Sequence, residues 1–149
     1  QKELLKGYPG RTLVCLTVIM PGKVKRNLKS LVVAQAAVTA LGSAFGSEML
    51  KLELRDLPTG YEAYLVTPLS NEEAKRETCR IENTHPLGRL FDLDVIDSDG
   101  IPVSRESIGL SPRKCLVCDN EARFCMRNRT HTMAELSTKI DEMIEAYVR

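Results

Sequence analysis

Residues 88–97 read GRLFDLDVID, and this stretch decides the fold. Side chains in an extended chain alternate between faces, so Phe91, Leu93 and Val95 project one way while Asp92 and Asp94 project the other. The segment is a strand with one apolar and one acidic face. Just upstream, Ser70-Asn71-Glu72-Glu73 is a capping box that predicts a helix over about 71–83, ended by His85-Pro86-Leu87-Gly88. Downstream, Ser98-Asp99-Gly100 predicts a turn into a short return strand at 101–104.

Further out, the N-terminal half repeats the pattern. Residues 11–20, RTLVCLTVIM, are a β-branched run closed by Pro21-Gly22, which predicts a strand buried on both faces. Val24, Leu28, Leu31, Val32 and Val38 follow helical spacing, so a helix is expected from 24 to about 41, followed by a loop over 42–46. In residues 49–55, MLKLELR, leucines alternate with charges as in a half-buried strand. Pro58-Thr59-Gly60 then turns the chain into a strand over 61–67. The order β-α-β-β-α-β predicts an α+β sandwich: an antiparallel sheet in split β-α-β (ferredoxin-like) order, with both helices on one face. A C-terminal hairpin, a Cys-rich segment without clear period and a last helix complete the chain. That helix opens at the capping box Thr132-Met133-Ala134-Glu135, and its stripe is Met133, Leu136, Ile140, Met143, Ile144 and Tyr147. A single domain over 1–149 is expected, with the α+β core in 1–110 and the Cys/Arg-rich segment and terminal helix in 111–149.

Composition narrows the function. The chain has 149 residues and a net charge of +1, too balanced for a nucleic-acid groove, and its seven aromatics are too few for a base-stacking surface. Its apolar runs are too short to span a membrane. The five cysteines are odd in number, and three fall within eleven residues, which points to a reducing, cytoplasmic setting and a site rather than a disulfide framework.

Two constellations carry chemistry. Adjacent carboxylates on one strand face repel each other, so either the face meets solvent with both aspartates hydrated, or a divalent cation relieves the cost and Asp92 and Asp94 hold Mg²⁺ against a polyphosphate. Gly88 and Arg89 supply close backbone approach and a guanidinium for the same anion. The second is Cys115-x2-Cys118-x6-Cys125-x5-His131, four ligands suited to a structural Zn²⁺. Around it lie Arg113, Lys114, Arg123, Arg127 and Arg129 against Asp119 and Glu121, a local charge of +3 that leaves −2 for the remainder. Arginines suit bidentate phosphate contacts.

HPLGRLFDLDVID and RKCLVCDNEARFCMRNRTH, with VIMPG and DLPTG before them in order, resemble the apo-citrate lyase phosphoribosyl-dephospho-CoA transferases, also called holo-citrate lyase acyl-carrier-protein synthases. The resemblance implies a nucleotidyl transfer. Phosphoribosyl-dephospho-CoA moves from triphosphoribosyl-dephospho-CoA to a serine of the acyl carrier subunit of citrate lyase, and pyrophosphate leaves. It implies that Asp92 and Asp94 hold Mg²⁺ and that Arg89, with Arg113, Arg127 and Arg129, neutralises the pyrophosphate. A nucleotidyltransferase-like fold is the alternative architecture; it expects a third carboxylate, for which Asp97, Glu53 and Asp56 are candidates. The competing function is a non-catalytic module that binds a carrier or subunit and is stapled by zinc.

Overall fold

The computed structural model describes residues 2–22 and 24–149. In chain order its elements are α1 (Lys2–Gly7), β1 (Thr12–Val18), α2 (Leu28–Phe45), β2 (Lys51–Leu57), β3 (Gly60–Thr67), α3 (Asn71–Thr84), β4 (Phe91–Ile96), α4 (Ala122–Asn128) and α5 (Met133–Val148). The protein is α+β. Its strands form one open antiparallel sheet of four in the order β2-β3-β1-β4, so β1 and β2 flank β3 while β3 and β4 flank β1.

Alternation along the strands sorts the residues into two layers. Val14 and Leu16 of β1, Ala63 and Leu65 of β3, and Phe91, Leu93 and Val95 of β4 form one apolar sheet face. Val33, Ala37, Leu41 and Phe45 of α2 pack on it with Ala74 and Ile81 of α3, and Ile140 and Ile144 of α5 join the same core. Each such large side chain withdrawn from water contributes about 1.5–3 kcal/mol. On the other face Leu13, Cys15, Tyr64, Val66 and Ile96 make a smaller cluster beneath Leu4. β1 is thus buried on both faces, as its run of β-branched residues predicts.

The sequence-based boundaries need four corrections. The helix expected from 24 begins at Leu28, because Asn27 and Ser30 form a reciprocal capping box, and it runs to Phe45 rather than fraying at 42. The return strand at 101–104 reduces to one bridge, Ile96 to Pro102, flanked by the bonds Asp97 N–H to Ile101 O (3.1 Å) and Val103 N–H to Val95 O (2.8 Å). Pro102 has no N–H to extend the ladder. The Cys-rich segment contains α4, and a short helix, α1, precedes β1; neither was expected. The stretch Leu28–Glu48, with a mean hydropathy of 1.4, is long and apolar enough to span a membrane by composition, yet seven residues of α2 are buried in the fold.

Candidate active site

β4 is an edge strand, and what covers its free edge builds the site. Leu93 N–H points away from β1 and would be orphaned, a costly state for a buried donor. It donates instead to Oε2 of Glu82 on α3 at 3.0 Å. Glu82 is buried, 4% exposed, and two guanidiniums hold it: Arg105 Nη2 lies 2.6 Å from Oε1 and Arg113 Nη1 lies 3.2 Å from Oε2. Arg113 also donates through Nη2 to the Gly88 carbonyl at 2.9 Å. One carboxylate therefore ties the sheet edge to the segment that follows β4.

Gly88 makes this approach possible. A Cβ there would stand 2.4 Å from the Glu82 carbonyl oxygen and 2.7 Å from that of Ile81, so the turn over 88–90 fits against α3 only with glycine. The expected close backbone approach is real, and it is to α3. Arg89 next to it donates to the carbonyls of Lys114 and Cys115. Its burial and the neighbouring Arg113 charge hold its pKa below the ordinary arginine value.

Asp92 and Asp94 lie on the sheet face opposite Phe91, Leu93 and Val95, across from Thr17 and Cys15 of β1 respectively. Thr17 Oγ1 lies 3.5 Å from Asp92 Oδ2. Asp94 opens into a cleft of about 330 Å³ that also presents Lys75, Arg105, Arg113 and Arg123. Desolvation among these segments, then the charge of Asp92, push the Asp94 carboxyl above the usual range, against the pull of Lys75 and Arg113. A second cleft, about 460 Å³, shares Arg105, Pro112 and Arg113 with the first and adds Arg89 and Lys114. Asp94 thus stands at the rim of a trough whose wall carries several cations, while Asp92, beside it on the same strand face, lines neither cleft. Such a trough suits a metal-bound polyphosphate.

The structure brings Asp94, Arg113 and Arg89 to these adjoining clefts. Arg127 and Arg129 line neither: Arg127 is exposed on α4, and Arg129 ends that helix in the left-handed region, φ 49°, with its N–H on the Cys125 carbonyl. The candidates for a third carboxylate are engaged elsewhere. Asp97 accepts from the N–H groups of Asp99 and Ile101, Asp56 pairs with Arg26 at 2.5 Å, and Glu53 pairs with Arg55 at 3.3 Å. Glu62 shares the Asp92 face across β1, but it stands two strands away, about 10 Å by strand spacing.

The four soft ligands also converge. One ligand atom from each of Cys115, Cys118, Cys125 and His131 lies within 4.8 Å of every other, a group able to hold a metal ion. Cys118 Sγ is 3.4 Å from Cys125 Sγ and 3.4 Å from His131 Nε2. The Asn120 backbone N–H, His131 and Cys125 lower the Cys118 thiol to about 7.

The chain matches the family model of apo-citrate lyase phosphoribosyl-dephospho-CoA transferase over residues 1–147. It belongs to that family. A probable apo-citrate lyase phosphoribosyl-dephospho-CoA transferase of Vibrio cholerae serotype O1 is 42% identical to it over 151 residues, covering 99% of this chain and 84% of that protein. One of Streptococcus pyogenes serotype M18 is 37% identical, covering 99% of this chain and 79% of that protein. Protein CitXG of Haemophilus influenzae is 38% identical over 148 residues, which make up 32% of that longer chain.

In this transferase, sequence reasoning missed Lys75, Glu82 and Arg105, and named Arg123 only as one charge of the basic segment. For two of them a signal exists. Lys75, Thr78, Cys79 and Glu82 recur at helical spacing among the buried residues of α3, so a lysine and a glutamate sit on its inward stripe. Arg105 carries no such mark, and charge density marked Arg123 without placing it; only the fold of 98–123 brings both to the cleft beside Asp94.

Proposed function

We propose that this protein transfers phosphoribosyl-dephospho-CoA from triphosphoribosyl-dephospho-CoA to a serine of the acyl carrier subunit of citrate lyase, releasing pyrophosphate. It is thus a nucleotidyltransferase. The observation that carries the reading is the opening of Asp94 into a cleft walled by Arg105 and Arg113, in a member of this transferase family.

The donor set fits Mg²⁺: two carboxylates share a strand face, and the partial desolvation and mutual repulsion that raise the pKa of the surface-exposed Asp94 are relieved by a divalent cation. Asp92 and Asp94 would hold that ion, which supplies Lewis-acid stabilisation of the phosphates when bound. Arg105, Arg113, Arg89 and Lys114 orient the triphosphate through charge-assisted hydrogen bonds and match the charge that grows on the departing pyrophosphate. The carrier's serine oxygen bonds to the α-phosphorus, the bond to pyrophosphate breaks, and the serine proton passes to the aspartate pair. The nucleophile belongs to the partner, which leaves no need for a catalytic serine in this chain. The sheet order supports the split β-α-β, ferredoxin-like reading over a nucleotidyltransferase-like one, because each α-crossover joins strands separated by one other strand. Five cysteines, none in a disulfide among the described residues, accord with a cytoplasmic enzyme.

The test is pyrophosphate release with donor and carrier present. The double variant Asp92→Asn/Asp94→Asn is expected to lose about a thousandfold or more of the rate, the equivalent of several kcal/mol of transition-state stabilisation, while its circular dichroism is unchanged. Full activity in the double variant contradicts the reading. A carrier that binds but is never modified by the wild-type protein is the outcome expected of a non-catalytic binding module.

A further inference from the structure

The segment between β4 and α5 lacks a core. Among the described residues from 98 to 131, the only buried apolar side chains are Cys115 and Cys125. Ordering a backbone costs about 1–2 kcal/mol per residue, which two buried thiols, with Val103 and Leu116 partly buried against the main core, cannot offset. The segment is nonetheless folded around those thiols. Lys114 bridges Glu121, Cys115 N–H donates to the Asn120 carbonyl at 2.8 Å, and Ala122 N–H donates to the Arg113 carbonyl at 2.8 Å. Cys115 and Cys118 sit in the loop this closes, Cys125 on α4, and His131 just before α5.

The geometry points to one Zn²⁺ bound by Cys115, Cys118, Cys125 and His131, holding in place the segment that carries Arg113 and the carbonyls Arg89 grips. Three observations support it. With Zn–S bonds of about 2.3 Å and Zn–N of about 2.0–2.1 Å, the edges of a tetrahedron run to about 3.6–3.8 Å. The measured Cys118–Cys125 and Cys118–His131 separations of 3.4 Å lie near that edge, and all four ligand atoms lie within 4.8 Å of one another. His131 turns Nε2 to the sulfurs and Nδ1 toward Glu135, 3.6 Å away, so a carboxylate stands beside the nitrogen that would not ligate. Val117 N–H approaches Cys115 Sγ at 3.4 Å, a backbone donor that supports a thiolate. A soft three-thiolate, one-imidazole set selects zinc over magnesium or calcium. The ion would be structural, because four protein ligands close the tetrahedron.

The consequence reaches the clefts. Cys115 is two residues from Arg113, and its carbonyl accepts from Arg89. Releasing the ion frees the segment that carries Arg113 and the carbonyls that hold Arg89, and leaves the sheet intact. The metal site does not depend on the proposed function; only the consequence for anion binding rests on it.

Elemental analysis of protein purified without chelator is expected to find about one zinc per chain, and less than a tenth of that in Cys118→Ser and in His131→Asn. On wild-type protein stripped by chelator, hydrogen exchange should speed at least tenfold at the Cys115 and Ala122 amides and remain slow through β1 and β3. Inorganic pyrophosphate should then bind at least tenfold more weakly. Absence of zinc, a different metal, or a Cys118–Cys125 disulfide in its place overturns the site. Unchanged exchange at Cys115 and Ala122 after stripping overturns its structural role. Should the zinc-loaded protein fail to bind pyrophosphate at all, the cleft reading falls while metal content and exchange still decide the site.

Discussion

Val14, Leu16, Leu65, Leu93 and Val95 meet Val33, Ala37 and Leu41 in a continuous apolar layer, whereas residues 98–131 bury no apolar side chain but Cys115 and Cys125 among the described residues. The first region is held by area removed from water. The second is held by directed bonds: a carboxylate shared between two arginines, guanidinium-to-carbonyl contacts and a knot of sulfur and imidazole. The division suits the chemistry. Apolar packing is rigid but presents no charge, while a polar segment laid along a sheet edge sets cations opposite the acidic face of β4. The two regions meet at Glu82, which accepts from the sheet through Leu93 and from the segment through Arg105 and Arg113.

Removing that joint is the severest way to break the comparison. Glu82→Ala leaves two guanidiniums and the Leu93 N–H without their acceptor, and stability should fall by about 3–5 kcal/mol, the range for breaking a buried ion pair from one side. Denaturant unfolding measures it; a loss below about 1 kcal/mol would mean the sheet does not depend on the segment. Gly88→Ala tests the same junction from the backbone. Its new methyl meets two carbonyls that belong to α3, and about 1–3 kcal/mol is expected, as for overpacking. Neutral behaviour there would show that the 88–90 turn is free to move.

The smallest effect sharpens the apolar side. His85 lies 4.9 Å from the Phe91 ring and 5.6 Å from that of Tyr147, and its Nδ1 accepts from Leu87 N–H at 2.9 Å. Burial holds its pKa below the ordinary value. The unfolded chain therefore takes up a proton, near pH 6.5, before the folded one does. The stabilisation from neutral His85 is complete above that pH and is lost as pH falls through the folded pKa. The Tm of wild type should drop more steeply between pH 7.5 and 5 than that of His85→Gln, and parallel curves would contradict this.

The apolar region was legible because burial imposes a period. The β1 run, the alternation in 49–55 and in β4, and the Ser70 and Thr132 capping boxes placed the main strands and helices to within a few residues. Placing Asp92 and Asp94 together on the side opposite Phe91, Leu93 and Val95 needed only that alternation. The polar region has no period to read. Only Cys125 is buried in α4, so Ala122–Asn128 shows no stripe, and Arg105 reaches Glu82 across 23 positions that no local pattern links. Local density of positive charge pointed to Arg113, Arg127 and Arg129 alike; the fold brings the first to the clefts and leaves the other two on and beyond α4. Spacing did reveal the sulfur cluster, because ligands converge even where the chain between them is irregular.

The central claim is that the acidic face of β4 and the arginine wall beside it form one transfer site. The most direct measurement is a paired one on Asp94→Asn: pyrophosphate released per carrier modified, and Tm at pH 7.5. Asp94 is exposed, and partial desolvation and Asp92 disfavour its charge, so removing that charge should leave the Tm unchanged or slightly raised while release falls to background. Retained release would contradict the account, and so would a loss of activity explained by an equal loss of folded protein.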